Sequence, residues 1–189
     1  MKFYLILAVH CLTLVCSAPL HELTRASDSA MSLAKKVLSG VPAAHAACVT
    51  NTGLTLSGDA KSLEYLLSEI GIPAPPVLKS EGFTLDMSLS RIINGVELHA
   101  KLLQDISNAL SCPEELEMLI ADLRELSTQA QQMRGLAQIA TESQDVVPQF
   151  SLRMDSDFRK QMAAHLSLQQ LRNFTQDVIR SLRHISLSN

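Results

Sequence analysis

Six histidines and four cysteines are the residues of this chain best suited to metal, acid–base or nucleophilic chemistry. The histidines do not form the His-Glu-x-x-His spacing of a zinc hydrolase, and the sequence has neither a Gly-rich phosphate loop nor a Gly-x-Ser-x-Gly elbow. Ser32 and Lys35 form a Ser-x-x-Lys pair, but the companion motifs of that chemistry are missing. The sequence therefore predicts no catalytic residue, no cofactor and no metal site, and we do not expect an enzyme.

The N-terminal residues have the composition of a secretory signal peptide. Met1 and Lys2 precede an apolar run over residues 3–15, and small residues follow it. Cleavage after Ser17 gives residues 1–17 as the signal peptide and residues 18–189 as one domain. We therefore expect a secreted, extracellular protein in which no other stretch is apolar enough to insert into a membrane.

The overall composition favours helices. Hydrophobic residues make up 47% of the chain and aromatic residues only 4%, and Leu, Ala, Ser and Gln dominate the periodic stretches. The formal net charge is −3, and no basic cluster of the kind that binds nucleic acid or an anionic membrane is present. These features predict an all-α protein with no nucleic-acid partner.

Apolar residues at alternating spacings of three and four predict three long amphipathic helices. They cover residues 85–110, residues 113–137, which Ser111 caps, and residues 158–185. His99 completes the apolar stripe of the first of these, which predicts a buried, hydrogen-bonded core histidine rather than a metal ligand.

An earlier helix has a weaker pattern. Gly40 and Pro42 interrupt its apolar face, and an interior proline costs about 3 kcal/mol. We therefore expect a helix over residues 27–39, which can resume after a kink toward Cys48.

The connections between these four helices are long, then short, then long. A short link forces antiparallel neighbours, whereas a long link can return along the bundle and start a parallel helix. The sequence therefore predicts an up-up-down-down, left-handed four-helix bundle with two long crossover connections. Residues 62–70, in the first connection, form a further short amphipathic helix.

Only two cysteines, Cys48 and Cys112, remain after signal cleavage. In the predicted topology both lie at the same end of the bundle, and an oxidising compartment favours one disulfide. That bridge would close a loop of about 65 residues and stabilise the fold by roughly 4 kcal/mol. Two free thiols or an intermolecular link are the alternatives.

Three patches of this sequence resemble a known family. In the first, the short helix runs into Gly71, Ile72, Pro73 and further prolines. The other two patches contain Leu85, Leu89, Ser90, Gly95, Leu98, Leu102, Leu103 and Gln104, and then Phe158, Arg159, Leu171, Phe174, Arg180 and residues 182–185. In order and spacing they resemble the granulocyte colony-stimulating factor family of long-chain helical cytokines, in the interleukin-6 superfamily, and we expect a non-mammalian vertebrate member.

This resemblance implies a secreted growth factor that acts by binding. Members bring together class I cytokine receptor chains and promote proliferation, differentiation and survival of granulocytes and other myeloid cells. It implies a monomeric ligand, a dimeric receptor complex and a receptor like that for granulocyte colony-stimulating factor. The sequence departs from the family at Ser80 and Ser88, which stand where a disulfide is usual.

The resemblance nominates one receptor-binding patch on the first and third long helices. Lys35 or Lys36 is similar to the receptor-facing lysine of the family, although Ser39 replaces its acidic partner. Asp122 matches on the third helix, and Glu125 lies beside it. Ordinary solvated helix charges are the alternative interpretation.

A second patch would combine the short helix with the start of the last helix. Glu64 would replace a functional glutamate whose place Ser62 occupies, and Leu63 and Tyr65 would supply apolar contact. Phe158 matches an aromatic residue of the family, as an exposed interface anchor. Packing beneath the last connection is the alternative for Phe158.

Residues 173–175 form a sequon for N-glycosylation. Helical geometry places Asn173 opposite the apolar stripe of the last helix, so that a glycan would point to solvent. An unused sequon is the alternative.

Two other protein classes fit parts of the sequence. One is another long-chain helical cytokine, of the interleukin-6 or leukaemia inhibitory factor type, which would share the fold and use another receptor. The other is an amphipathic-helix lipid carrier, whose eleven-residue repeats and wide apolar stripes differ from the narrow seams here.

Overall fold

The computed structural model describes residues 2–50, 53–56, 63–78, 84–110, 113–139 and 148–188, with side chains from His21 onward except at residues 64, 113 and 188. The described residues form five helices and no strand. In chain order these are α1 (Lys2–Cys48), α2 (Glu64–Ile70), α3 (Leu85–Ala109), α4 (Pro113–Leu136) and α5 (Asp157–Ser188). The prediction of an all-α protein is confirmed.

The first helix extends beyond the expected range of residues 27–39 at both ends, so those bounds are wrong, whereas the continuation toward Cys48 is found. Helix α1 continues through Gly40 and Pro42 to Cys48. An added Cβ at Gly40 would stand 3.0 Å from Cδ2 of Leu119, so the glycine allows α4 to pack closely at this point. The core-facing residues on both sides of the proline are fully or almost fully buried: Val37, Val41, Ala44 and Cys48. Burial of this face offsets the backbone hydrogen bond that the proline removes.

The three other long helices occupy the predicted ranges to within a few residues. Thr84 caps α3, because its hydroxyl accepts a hydrogen bond from the Met87 N–H at 3.2 Å. Ser111, the predicted cap of α4, lies outside the described residues.

The four long helices share one core. Helix α1 packs against α4 and α5, and α3 packs against the same two helices. Helices α4 and α5 therefore lie diagonally across the bundle from each other. The largest fully buried side chains come mainly from α3 and α4, and include Leu89, Ile92, Leu102, Leu116 and Leu123.

Contacts along these pairs show the helix directions. Ser27, early in α1, donates a hydrogen bond to the carbonyl of Leu182, late in α5, at 3.0 Å. Glu97 of α3 accepts hydrogen bonds from Ser127 and Gln131 of α4, and Gln104, further along α3, contacts the earlier Arg124. Helix α1 is therefore antiparallel to α5, and α3 is antiparallel to α4.

The predicted short helix is present as α2, and Gly71 ends it. Gly71 has φ 87°, and the N–H groups of Gly71 and Ile72 both donate to the carbonyl of Leu67, at 3.0 and 2.9 Å. A Cβ at Gly71 would stand only 2.5 Å from the Ser151 carbonyl oxygen, so glycine is required here. The carbonyl of Pro73 accepts a hydrogen bond from Gln170 of α5, which fixes the first connection against the bundle.

His99 is buried as predicted, but the expected hydrogen bond is not found. It is fully buried in α3, and neither ring nitrogen has a hydrogen-bond partner among the described residues. Its ring instead lies 5.2 Å from that of Phe174 in α5, centroid to centroid. Burial lowers the pKa of His99 to about 3.

The structure describes only part of the predicted signal peptide and of the predicted disulfide. Residues 2–20 belong to α1 without described side chains, so the signal peptide at residues 1–17 stays a prediction. Cys48 is buried and is disulfide-bonded, whereas Cys112 lies outside the described residues. Their pairing with each other stays a prediction.

Candidate functional site

The structure brings together the charged residues that the sequence nominated on the first and third long helices. The Lys36 ammonium lies 2.6 Å from the Asp122 carboxylate, and their side chains are 63% and 14% exposed. The hydrogen bond and the charge of Asp122 raise the pKa of Lys36, and Glu125 contributes to the same effect. We call Lys35, Lys36, Asp122 and Glu125 the charged patch.

The charged patch depends on the packing of α1 against α4. Gly40 meets Leu119 one turn from Lys36, and this close approach places Lys36 opposite Asp122. Ser39, which stands in place of the acidic partner, makes a local hydrogen bond instead: its hydroxyl donates to the Lys36 carbonyl at 2.8 Å. Lys35 and Glu125 are exposed on either side of the ion pair. The patch is thus an ion pair with one further cation, Lys35, and one further anion, Glu125, exposed at its flanks.

The second nominated set lies on α2 and the start of α5. Tyr65 is 61% exposed and Phe158 is 57% exposed, so the alternative that Phe158 packs beneath the connection is wrong. Leu63 is half-buried against the core, and the side chain of Glu64 lies outside the described residues. We call Leu63, Tyr65 and Phe158 the aromatic patch.

Arg153 joins the two segments that carry the aromatic patch. Its backbone N–H donates to the Ile70 carbonyl at 2.8 Å, and its guanidinium donates to the Ser68 carbonyl at 2.7 Å. These bonds hold the segment before α5 against the end of α2. Large exposed aromatic side chains on adjoining segments are typical of interface anchors.

A pair of buried histidines was not anticipated from the sequence. Nε2 of His45 in α1 lies 2.9 Å from Nδ1 of His165 in α5, with the rings edge to face. Both side chains are at least 92% buried, since their exposures are 8% and 2%. Burial lowers both pKa values, and the charge of His45 lowers that of His165 further. Since His45 lies beyond the predicted end of its helix, no periodic signal marked it.

Acid should weaken the contact between these two histidines. A lowered pKa in the folded state means that the neutral pair contributes its full stability above the ordinary pKa, near 6.5, and loses it progressively as the pH falls below that value. We expect His165→Gln to reduce the fall in melting temperature between pH 7 and pH 5. The exposed His21→Gln is the matched control, and an unchanged fall in His165→Gln would contradict the prediction.

Other chemistry finds little support in the described parts of the chain. They contain no group of three or more His, Cys, Asp or Glu side chains placed to hold a metal ion. Among the residues whose side chains are described, from His21 onward, no helix has an apolar run long enough to cross a membrane. Asn173 is exposed on α5, so its predicted position on the solvent side is confirmed.

Comparison with known proteins assigns no family to this chain. No known protein-family model matches it, and no curated protein gives a significant match. The function must therefore be argued from its residues and their geometry.

Proposed function

We propose that this chain is a secreted four-helix cytokine of the granulocyte colony-stimulating factor type. It acts by bringing together class I cytokine receptor chains on cells of the granulocyte and myeloid lineage. As a monomeric ligand it contributes binding energy at two surfaces, so signalling requires both of them. The observation that supports the proposal is the combination of four long helices around one core with two separate exposed patches of the nominated residues.

The pairwise helix directions support the cytokine arrangement. Helix α1 is antiparallel to α5, and the contacts of Lys36 with Asp122 and of Gly40 with Leu119 make it antiparallel to α4 as well. Because α3 is antiparallel to α4, helices α1 and α3 point one way and α4 and α5 the other. These directions support the proposed up-up-down-down order, which long crossover connections allow. The left-handed sense of the bundle stays a prediction.

The apolar surface of the helices supports a cytokine over a lipid carrier. From His21 onward, the apolar residues of α1, α3, α4 and α5 whose side chains are described are buried against one another in a single core, and this part of the chain has no wide apolar stripe for lipid. The exposed large hydrophobic residues among those described are few and lie apart along the chain: Tyr65, Val77, Met87, Met118, Phe158 and Leu187. Such a protein should unfold cooperatively without lipid.

Charge reversal in the charged patch tests the proposal. Asp122→Lys would place two cations together and present the wrong charge to a receptor, so we expect receptor binding to weaken at least about tenfold, mainly through slower association. The measurement is the association rate on immobilised ectodomain of a granulocyte colony-stimulating factor receptor, together with proliferation of receptor-bearing cells.

The exchanged pair Lys36→Asp with Asp122→Lys is the matched control. It rebuilds the ion pair between α1 and α4 with opposite orientation, so thermal stability should return while receptor binding stays weak. If the exchanged pair restores binding, the ion pair only stabilises the packing of α1 against α4 and does not contact the receptor. If Asp122→Lys leaves both binding and proliferation unchanged, Asp122 is not a receptor contact.

A further inference from the structure

We propose that Asn173 carries an N-linked glycan, and that this glycan covers the outer face of α5, the side of the bundle turned away from α4. The inference rests on the secretion that the proposed function includes, because the modification takes place in the secretory pathway. It assigns a chemical role to residues 173–175, which the receptor patches do not use.

The sequon is complete, and its three residues have distinct positions in the folded chain. Asn173 is exposed, whereas Phe174 and Thr175 are 4% and 1% exposed. At 100° per residue, Asn173 points about 150° away from the mean direction of the buried stripe on α5. A glycan on the amide nitrogen therefore leaves the core packing of Phe174 undisturbed.

The modification must precede folding of α5. The donor is a lipid-linked oligosaccharide pyrophosphate: the side-chain amide nitrogen of Asn173 forms a bond to the first sugar carbon, the sugar–phosphate bond breaks, the amide loses one proton, and the lipid pyrophosphate leaves. The sequon hydroxyl takes part in acceptor recognition. In the folded helix that hydroxyl is buried and donates to the Leu171 carbonyl at 2.7 Å, so it is accessible only while the chain is extended.

The position of Asn173 in the bundle indicates what the glycan leaves uncovered. Helix α5 lies diagonally across from α4, with α1 and α3 between them. On the outer face of α5, one and two turns after Asn173, an ion pair joins Asp177 and Arg180 at 2.6 Å. A glycan here shields a polar face that contains no residue of the charged patch, and leaves the surface between α1 and α4 open.

Expression of the full chain in cultured animal cells tests the inference. Wild type and Thr175→Ser, which keeps the sequon, should each show one discrete downward gel shift after treatment with peptide N-glycosidase. Asn173→Gln and Thr175→Ala should migrate like the treated wild type and show no shift. The enzyme converts the modified asparagine to aspartate, so a mass increase of one unit at residue 173 in peptide mapping identifies the site.

The outcomes separate this inference from the proposed function. A wild-type chain that is secreted without any shift overturns the glycan and leaves the cytokine proposal standing. A chain that remains in the cytosol without a shift overturns both. Removal of the glycan should leave binding through the charged patch within about twofold, and a larger gain on removal would overturn the placement of the glycan away from the surface between α1 and α4.

Discussion

A glycan placed at residue 125 should abolish receptor activation, although the glycan proposed at Asn173 leaves it intact. Glu125→Asn makes residues 125–127 a new sequon, because Leu126 and Ser127 already follow. Residue 125 is exposed in α4 beside the ion pair of Lys36 and Asp122. A typical interface buries about 800 Å² of each partner and excludes water from its centre, so a hydrated oligosaccharide at that point prevents docking.

The chain offers matched controls for this steric test. Glu125→Gln removes the same charge without creating a sequon, and it should reduce activation only modestly, as expected for a charge at the rim. Peptide N-glycosidase treatment of Glu125→Asn leaves an aspartate at that residue, close to the original carboxylate, so activity should return. The measurement is proliferation of receptor-bearing cells against ligand concentration.

Full activity of the glycosylated Glu125→Asn protein would contradict the assignment of the charged patch. Occupancy must be verified by the gel shift, because an unglycosylated variant lacks the bulk that the argument requires. Combining Glu125→Asn with Asn173→Gln leaves a single glycan on the α4 side, so a loss of activity in that protein is due to position rather than to the number of glycans.

The helices could be predicted where the sequence pattern is local. The stripe on α3 and the cap and proline before α4 depend on spacing alone, and they predicted those helices to within a residue or two. The interrupted helix α1 could not be predicted in the same way, because its continuation through Pro42 depends on tertiary packing. Leu119 of α4, which meets Gly40, is 79 residues further along the chain, and no local pattern connects the two.

The candidate site was predicted in composition but not in geometry. The resemblance nominated Lys35 or Lys36 and Asp122 for one patch but not the ion pair of Lys36 with Asp122, which spans 86 positions and therefore depends on the register between two helices. The contact between His45 and His165 also depends on the register between two helices, because these residues are 120 positions apart. The exposure of Phe158 also required the structure, because the same helix start is compatible with a covering connection.

Removal of His99 should make the protein more stable, and most strongly so in acid. His99 is fully buried, with both ring nitrogens unpaired among the described residues and the Phe174 ring at 5.2 Å. An unsatisfied buried polar group costs about 1–3 kcal/mol. His99→Leu keeps a side chain of similar size and removes that cost. Imperfect repacking against Phe174 should lower the resulting gain in unfolding free energy by about 1 kcal/mol.

The pH dependence of stability has a definite sign. Burial lowers the pKa of His99 to about 3 in the folded state, against 6.5 in the unfolded chain. The unfolded state therefore binds more protons as the pH falls below 6.5, and folding stability declines until the pH reaches about 3. Linkage gives a loss of about 2 kcal/mol between pH 7 and pH 5 from this residue alone.

Denaturant unfolding of wild type and His99→Leu at pH 7 and pH 5 measures both effects. The variant should retain about 2 kcal/mol more of its unfolding free energy than wild type when the pH is lowered, whereas the exposed His21→Leu should behave like wild type. Because the His45 and His165 pair adds its own acid sensitivity, some loss should persist in His99→Leu. An equal loss in wild type and His99→Leu would contradict the prediction, because it would mean that burial does not lower the pKa of His99 in the folded protein.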